Sequence, residues 1–148
     1  EIEVYKKTGD PNGHSVTQRF EYWKAAIHII KDNWLFGVGT GDVKEAFELE
    51  YIKSHSVLEQ RWRLRAHNQY LSIAVGMGLI GLIWFLFTLF YPMYKLNMQH
   101  NFLYVSFFAI AIISFLTEDT LETQAGVTFF AALNSYFLFL QPPQKNCT

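Results

Sequence analysis

The chain has 148 residues, 51% of them hydrophobic, and a formal net charge of −1. That length suits one domain, a start at Glu1 without an initiator methionine suits a piece of something longer, and the charge balance asks for no nucleic-acid partner. A single cysteine, Cys147, excludes a disulfide within the chain. Averages hide a division, however: ten of the twelve Lys and Arg lie in residues 1–65, so a polar front precedes an oily back.

The front, residues 1–66, reads as a mostly helical loop. "SVTQ" resembles a capping box, with Ser15 as N-cap and Gln18 three positions on, opening a helix that runs to about Asp32. Phe20, Trp23, Ile27, Ile30 and Trp34 recur at helical spacing as its apolar stripe, and Glu21, Lys24, His28 and Lys31 form the wet face. Arg19, four residues before Trp23, flanks that stripe, and its head can reach a membrane interface. "WLFGVGTGDVKEAF" follows and invites a nucleotide reading that fails. Asp42 stands where a dinucleotide fingerprint needs glycine, a helix precedes instead of a strand, and Gly-Lys-Ser/Thr is missing. The glycines instead mark a tight turn, with Asp42 and Glu45 capping the next helix. In "RWRLRAHNQY", Arg61, Arg63 and Arg65 alternate with Trp62 and Leu64, so an extended stretch presents guanidiniums on one side and apolar groups on the other. Lipid-headgroup anchoring and binding of a substrate phosphate both fit that pattern.

From Leu71 to Tyr94 there are 24 positions without a charge. A helix of that length exceeds the roughly 30 Å hydrocarbon core of a bilayer. Two further uncharged stretches follow, and the expected spans are about 68–94, 101–117 and 123–141 in an all-α membrane domain, residues 67–148. The alternative, a buried helical hairpin of a soluble protein, seldom runs so long without charge. The connector "KLNMQHN" carries Lys95 and the tail Lys145, whereas "TEDTLET" has three acids and no base. Short basic loops stay in the cytoplasm, which puts His67, Glu118, Asp119 and Glu122 together on the opposite face. The front segment is long enough to escape that rule. The sequon "NCT" at the end falls on the cytoplasmic side and is discounted.

Counting helically from His67 gives Leu71, Ala74, Gly78 and Gly81, a small-residue stripe that lets membrane helices approach closely. His67 therefore points inward, at a helix N-terminus that favours anions and the neutral imidazole. His14, His28, His55 and His100 lack such company and read as surface residues.

The order Arg19-x-x-x-Trp23, then "GVGTG", then "HNQYL" leading into a glycine-rich span, resembles the O-antigen ligase and polymerase superfamily of bacterial envelope glycosyltransferases. The likeness covers Arg19 to about Tyr94 and extends more loosely over the two later spans. It implies a GT-C-like polytopic enzyme of the bacterial inner membrane, its site facing the periplasm, of which this chain is the C-terminal portion. Such enzymes carry an essential arginine and an essential histidine in a large periplasmic loop, positions that Arg19 and His67 match; a further arginine of an earlier loop has no counterpart here. The implied reaction moves a glycan from a polyprenyl diphosphate carrier to an acceptor hydroxyl, on lipid A-core or similar, with no metal or other cofactor. A diphosphate is already a stable leaving group, so the site must hold an anion and activate an alcohol. Arg19, helped by Arg65, suits the first task because guanidinium forks match phosphate oxygens, and His67 suits the second as base. Across the outer surface Glu118 or Asp119, with Glu118 preferred, can orient the imidazole or bond an acceptor sugar; pairing of this acidic turn with Arg61 or Arg63 is the competing expectation. A polymerase or protein ligase would share the donor chemistry. A transporter or flippase would also want a basic mouth, but the spans hold no Asp, Glu, Lys or Arg to couple an ion gradient.

Overall fold

A computed structural model describes residues 2–140, and all regular structure among them is helical: α1 Ile2–Thr8, α2 Ser15–Asp32, α3 Val43–Lys53, α4 Gln69–Lys95, α5 Phe102–Thr117 and α6 Gln124–Ser135. Single 3-10 turns connect them at Gln60–Trp62, Met98–His100 and Thr120–Glu122, and α6 continues as a π-helical turn, Tyr136–Leu140. Helices α4, α5 and the α6–π segment begin and end within a residue or two of the expected stretches, and of the described helices α4 alone is long and apolar enough to cross a membrane. Lys145, Cys147 and the "NCT" sequon lie outside the described residues.

Helix α2 begins as expected, but by another device. Pro11 and Gly13, the latter at φ 77°, turn the chain so that His14 takes the extended N-cap position. Ser15 is already helical, so the expected capping box does not form; instead the Thr17 hydroxyl donates to His14 O at 3.1 Å. The apolar stripe also needs correcting. Tyr22, Ala25, Ala26 and Ile29 face the core, whereas Phe20, Ile27 and Trp34 are exposed and Trp23 and Ile30 only half-buried. Small alanines admit a neighbouring helix closely, with Tyr22 and Ile29 packed beside them.

The first core joins that α2 face to Val43, Phe47 and Tyr51 of α3, to Leu58 and Ala66, and to Val75 of α4. Burying a side chain such as Phe47 stabilises by roughly 1.5–3 kcal/mol. The Tyr51 hydroxyl meets the accompanying polar demand by donating to Leu64 O at 2.7 Å. Burial pushes the Tyr51 phenol well above its usual pKa, so it remains a donor. Asp42 takes the N-cap position of α3 without a side-chain capping bond, so its contribution and that of Glu45 is negative charge in the first turn.

Helix α4 is apolar and long enough over Gln69–Lys95 to cross a membrane, but it is broken at Gly78, which sits at φ 65°, ψ −165°. In an unbroken helix Leu79 N would bond Val75 O, and Ile80 N would bond Gly76 O. Here Val75 O and Gly76 O accept from Val38 N and Gly39 N, both at 2.9 Å. Leu79 N and Ile80 N donate in turn to Trp34 O (2.8 Å) and Leu35 O (3.4 Å). These four backbone groups freed by the break are thus satisfied by the 34–39 loop, as an apolar setting requires. Such intimacy needs glycine on both sides. A Cβ on Gly37 would lie 2.6 Å from Gly78 N, and one on Gly78 would collide with Leu35 O. The expected stripe of Leu71, Ala74, Gly78 and Gly81 is interrupted at Gly78, where, with the nearby Gly76, α4 admits the 34–43 segment and not another helix.

The break bends α4 sharply. Tyr70 and Phe85 bring their ring centroids to 6.2 Å, although residues fifteen apart lie about 22 Å apart along a straight helix. Beyond the bend α4 runs antiparallel to α5, with Phe90 against Phe108 (5.3 Å) and Phe85 against Phe115 (6.3 Å). These rings, with Phe130 and Phe137 from the last helix, make a second, largely aromatic core. Each such pair adds about 0.5–1.5 kcal/mol beyond the contact area it buries.

Candidate active site

Four side chains at the start of α4, those of Asn68, Gln69, Tyr70 and Ser72, tie three parts of the chain together. Asn68 is the N-cap: its side-chain oxygen accepts from Tyr70 N (3.0 Å) and Leu71 N (3.1 Å), while its amide donates to Leu116 O at 3.0 Å. Gln69 accepts from Leu121 N at 2.7 Å, and Tyr70 donates to Ile112 O at 3.2 Å. Buried Asp119 answers from the opposite side, accepting from Asn68 N (3.0 Å) and the Ser72 hydroxyl (2.6 Å). The end of α5 and the 118–123 turn are therefore fastened to the first turn of α4.

His67 precedes this cap in a left-handed conformation, φ 48°. Such a backbone costs a non-glycine residue on the order of 1 kcal/mol and persists only where neighbours over-determine it. They do so here: the Trp23 indole donates to Ala66 O at 2.9 Å on one side, and Asp119 holds Asn68 N on the other. The imidazole, about one-third exposed, lies 5.9 Å from the Tyr22 ring between centroids, and its Nδ1 is 3.5 Å from Glu118 Oε2. Burial raises the Tyr22 phenol while Arg19 opposes the rise, so Tyr22 stays protonated near neutral pH and is no rival base.

Arg19 reaches the same carboxylate from α2. Its Nη2 donates to Glu118 Oε1 at 2.6 Å, and its Nη1 donates to Thr117 O, a carbonyl that the end of α5 leaves without a helical partner. Glu118 thus stands between Arg19 and His67, one oxygen to each. Arg65 pairs with Glu122 across the same turn. The expected pairing of the acidic turn with Arg61 or Arg63 is not found: Arg61 meets Glu59 at 2.8 Å and lies over the Trp62 ring, while Arg63 donates to Leu58 O at 3.1 Å. The segment is not a continuous extended strand either, because Gln60–Trp62 forms a 3-10 turn and leaves Leu64 exposed.

Two clefts share Arg65 and His67 as walls. One, of about 350 Å³, opens toward Ser114, Glu118, Thr120 and Glu122. The other, of about 450 Å³, opens toward Thr40, Lys44, Phe47 and Arg63. The first is rich in carboxylates and hydroxyls, and the second in cations. Chemically, the arrangement offers a forked cation, an imidazole backed by a carboxylate, and room on either side of that imidazole. Among the described residues, no group of three or more His, Cys, Asp or Glu side chains is disposed to hold a metal ion.

Arg19, Arg65, His67 and Glu118, the four residues singled out from the sequence, are therefore brought together. Asp119, weighed beside Glu118 from the sequence, turns out to fix the start of α4 and not the imidazole; Gln69 and Ser72 were missed, and the legible signal was an asparagine standing directly before a long apolar helix, the usual place of an N-cap. His28 was also misread as a plain surface residue: its Nδ1 lies 2.8 Å from Oε1 of buried Glu50, away from this site.

A family model described as O-antigen ligase matches residues 3–86, more than half of the chain. The chain belongs to the O-antigen ligase family. The match takes in Arg19, Arg65 and His67, and ends before Glu118. No curated protein and no solved structure matches the chain.

Proposed function

We propose that this chain carries the periplasmic active site of a membrane-embedded glycan transferase. The enzyme would move a glycan from a polyprenyl diphosphate to the hydroxyl of a glycolipid such as lipid A-core. The observation that carries the reading is the meeting of Arg19 and His67 on one carboxylate, from positions 48 residues apart in sequence. In this scheme residues 2–66 and the 118–123 turn face the periplasm of the bacterial inner membrane. Three spans follow the bend in α4, and residues 95–101 face the cytoplasm.

Arg19 binds the diphosphate through its planar fork; Glu118 occupies that fork in the empty site and yields it to phosphate. Arg65, on the wall shared by both clefts, adds charge to the leaving group. The acceptor hydroxyl oxygen attacks the anomeric carbon, the bond from that carbon to the diphosphate oxygen breaks, and the hydroxyl proton passes to His67. Glu118, still facing Nδ1, keeps the ring oriented and stabilises the imidazolium.

The test is transfer by the full-length enzyme in proteoliposomes supplied with lipid-linked glycan and a glycolipid acceptor. Glycosylated acceptor and free polyprenyl diphosphate are expected in equal amounts. Movement of intact donor across the bilayer without cleavage would overturn the reading in favour of a transporter.

A further inference from the structure

Helix α2 is pinned at both ends to one depth of the molecule. Near its start Arg19 holds Thr117 O, the last residue of α5; just past its end Trp34 O and Leu35 O hold Leu79 N and Ile80 N, the first residues of α4 after the bend. The antiparallel ring pairs Phe90–Phe108 and Phe85–Phe115 put Thr117 beside residue 82 or so of α4. The two anchor points therefore differ in depth by only about 5 Å at 1.5 Å per residue. An 18-residue helix, about 27 Å long, that is held level at both ends lies across the ends of the spans and does not rise from them.

Its orientation about its own axis is equally defined. The polar side supports the rest of the loop, through Tyr5–Glu21 at 3.0 Å, His28–Glu50 at 2.8 Å and Lys53–Asp32 at 3.1 Å. Turned away from that side are Phe20 (47% exposed), Ile27 (45%) and Trp34 (57%), followed by Phe36 (71%). This apolar row runs, through the Trp34–Leu79 hydrogen bond, into the exposed side chains of Leu79, Ile80, Ile83 and Trp84 on α4.

We propose that α2 is an interfacial helix, lying flat on the outer leaflet with Phe20, Ile27, Trp34 and Phe36 embedded at the level of the headgroups and upper acyl chains. The partner is the lipid bilayer. Continuity with the apolar flank of α4 argues for it, as does a row of large aromatic and aliphatic side chains flanked by the exposed Lys24 and Lys31, whose ammonium groups can reach the headgroups. The consequence is functional: Arg19 is carried on a helix bedded in the leaflet, at the depth where the diphosphate of a polyprenyl carrier must sit.

This inference rests on the membrane reading of the previous section, and one experiment separates the two. Nitroxide labels are placed on single cysteines introduced by Ile27→Cys, Lys24→Cys and Ile83→Cys in the full-length enzyme, with its other cysteines replaced by serine, reconstituted in phosphatidylglycerol–phosphatidylethanolamine vesicles. Relaxation by oxygen, which partitions into lipid, is compared with relaxation by a water-soluble nickel chelate. The label at position 27 is expected to favour oxygen, less strongly than position 83, while position 24 favours nickel. If position 83 favours oxygen but position 27 favours nickel, or is shielded from both reagents by covering protein, the interfacial helix is wrong and the membrane reading stands. If position 83 itself favours nickel, the membrane reading fails as well. Phe36→Cys gives the same discrimination should the Ile27 variant fail to accumulate.

Discussion

Two turns connect α4, α5 and α6, and they are built by opposite means. Between described residues the 96–101 turn is shaped by local bonds: Leu96 N bonds Pro92 O, Asn97 takes the left-handed conformation at φ 53°, and Asn101 caps Tyr104 N at 3.2 Å. The 118–123 turn is fastened by side chains from far away in sequence, Arg19 and Arg65 from the loop and Asn68, Gln69 and Ser72 from the start of α4. A turn that only reverses the chain needs local bonds. One whose position relative to distant residues matters must be held from outside. The contrast fits the proposed placement of the chemistry at the 118–123 end, and each prediction below breaks or sharpens it.

The largest expected effect is at the 118–123 end. His67→Gln in the full-length enzyme should lower turnover roughly a hundredfold, about 2.7 kcal/mol of transition-state stabilisation, while donor affinity stays within a few fold. Steady-state transfer and equilibrium donor binding on the same preparation decide it; loss of binding would move His67 to the diphosphate.

Next comes the backbone exchange that positions α2 against α4. Gly78→Ala puts a Cβ into Leu35 O from a conformation that only glycine holds easily. It should destabilise by about 2 kcal/mol or more, read as earlier thermal unfolding in detergent. Unchanged stability would mean that the 34–39 loop is not seated on α4.

Arg19→Lys keeps the charge and loses the fork. Transfer should fall by roughly tenfold, about 1.4 kcal/mol, with accumulation in the membrane unchanged. Wild-type activity in this variant would remove Arg19 from the site.

The smallest effect belongs to the 96–101 turn. Asn97→Gly relieves a left-handed residue and should leave transfer within about twofold, with stability equal or slightly raised. A large loss of activity here would erase the contrast between the turns.

How much of this was legible in the sequence depended on whether the signal was local. Uncharged runs fixed the limits of three apolar helices because hydrophobic length is a property of the segment itself. Arg19, Arg65, His67 and Glu118 were legible as candidates: a likeness of motif order paired Arg19 with His67, and loop charge put Glu118 on the same face. The break in α4 was not legible: Ala74, Gly78 and Gly81 read as a stripe for helix packing, and only the partner, the 34–39 loop, shows that Gly78 ends one hydrogen-bonded segment and starts another. The face of α2 was misjudged for a related reason. Periodicity finds an apolar row but not what covers it, and Ala25 and Ala26, too small to stand out, mark the buried side. The capping box failed because Pro11 and Gly13 delivered an extended His14 one residue earlier.

The central claim is that Glu118, His67 and Arg19 act as one site, with Glu118 working through its neighbours. It is tested most directly by a double-mutant cycle on turnover with Glu118→Gln and His67→Gln in the full-length enzyme at saturating donor. Glu118→Gln alone should slow transfer several-fold; made in the His67→Gln background it should change the rate by less than about twofold, because the imidazole it orients is gone. If the two losses multiply in full, Glu118 acts independently of His67, and the single-site account is contradicted.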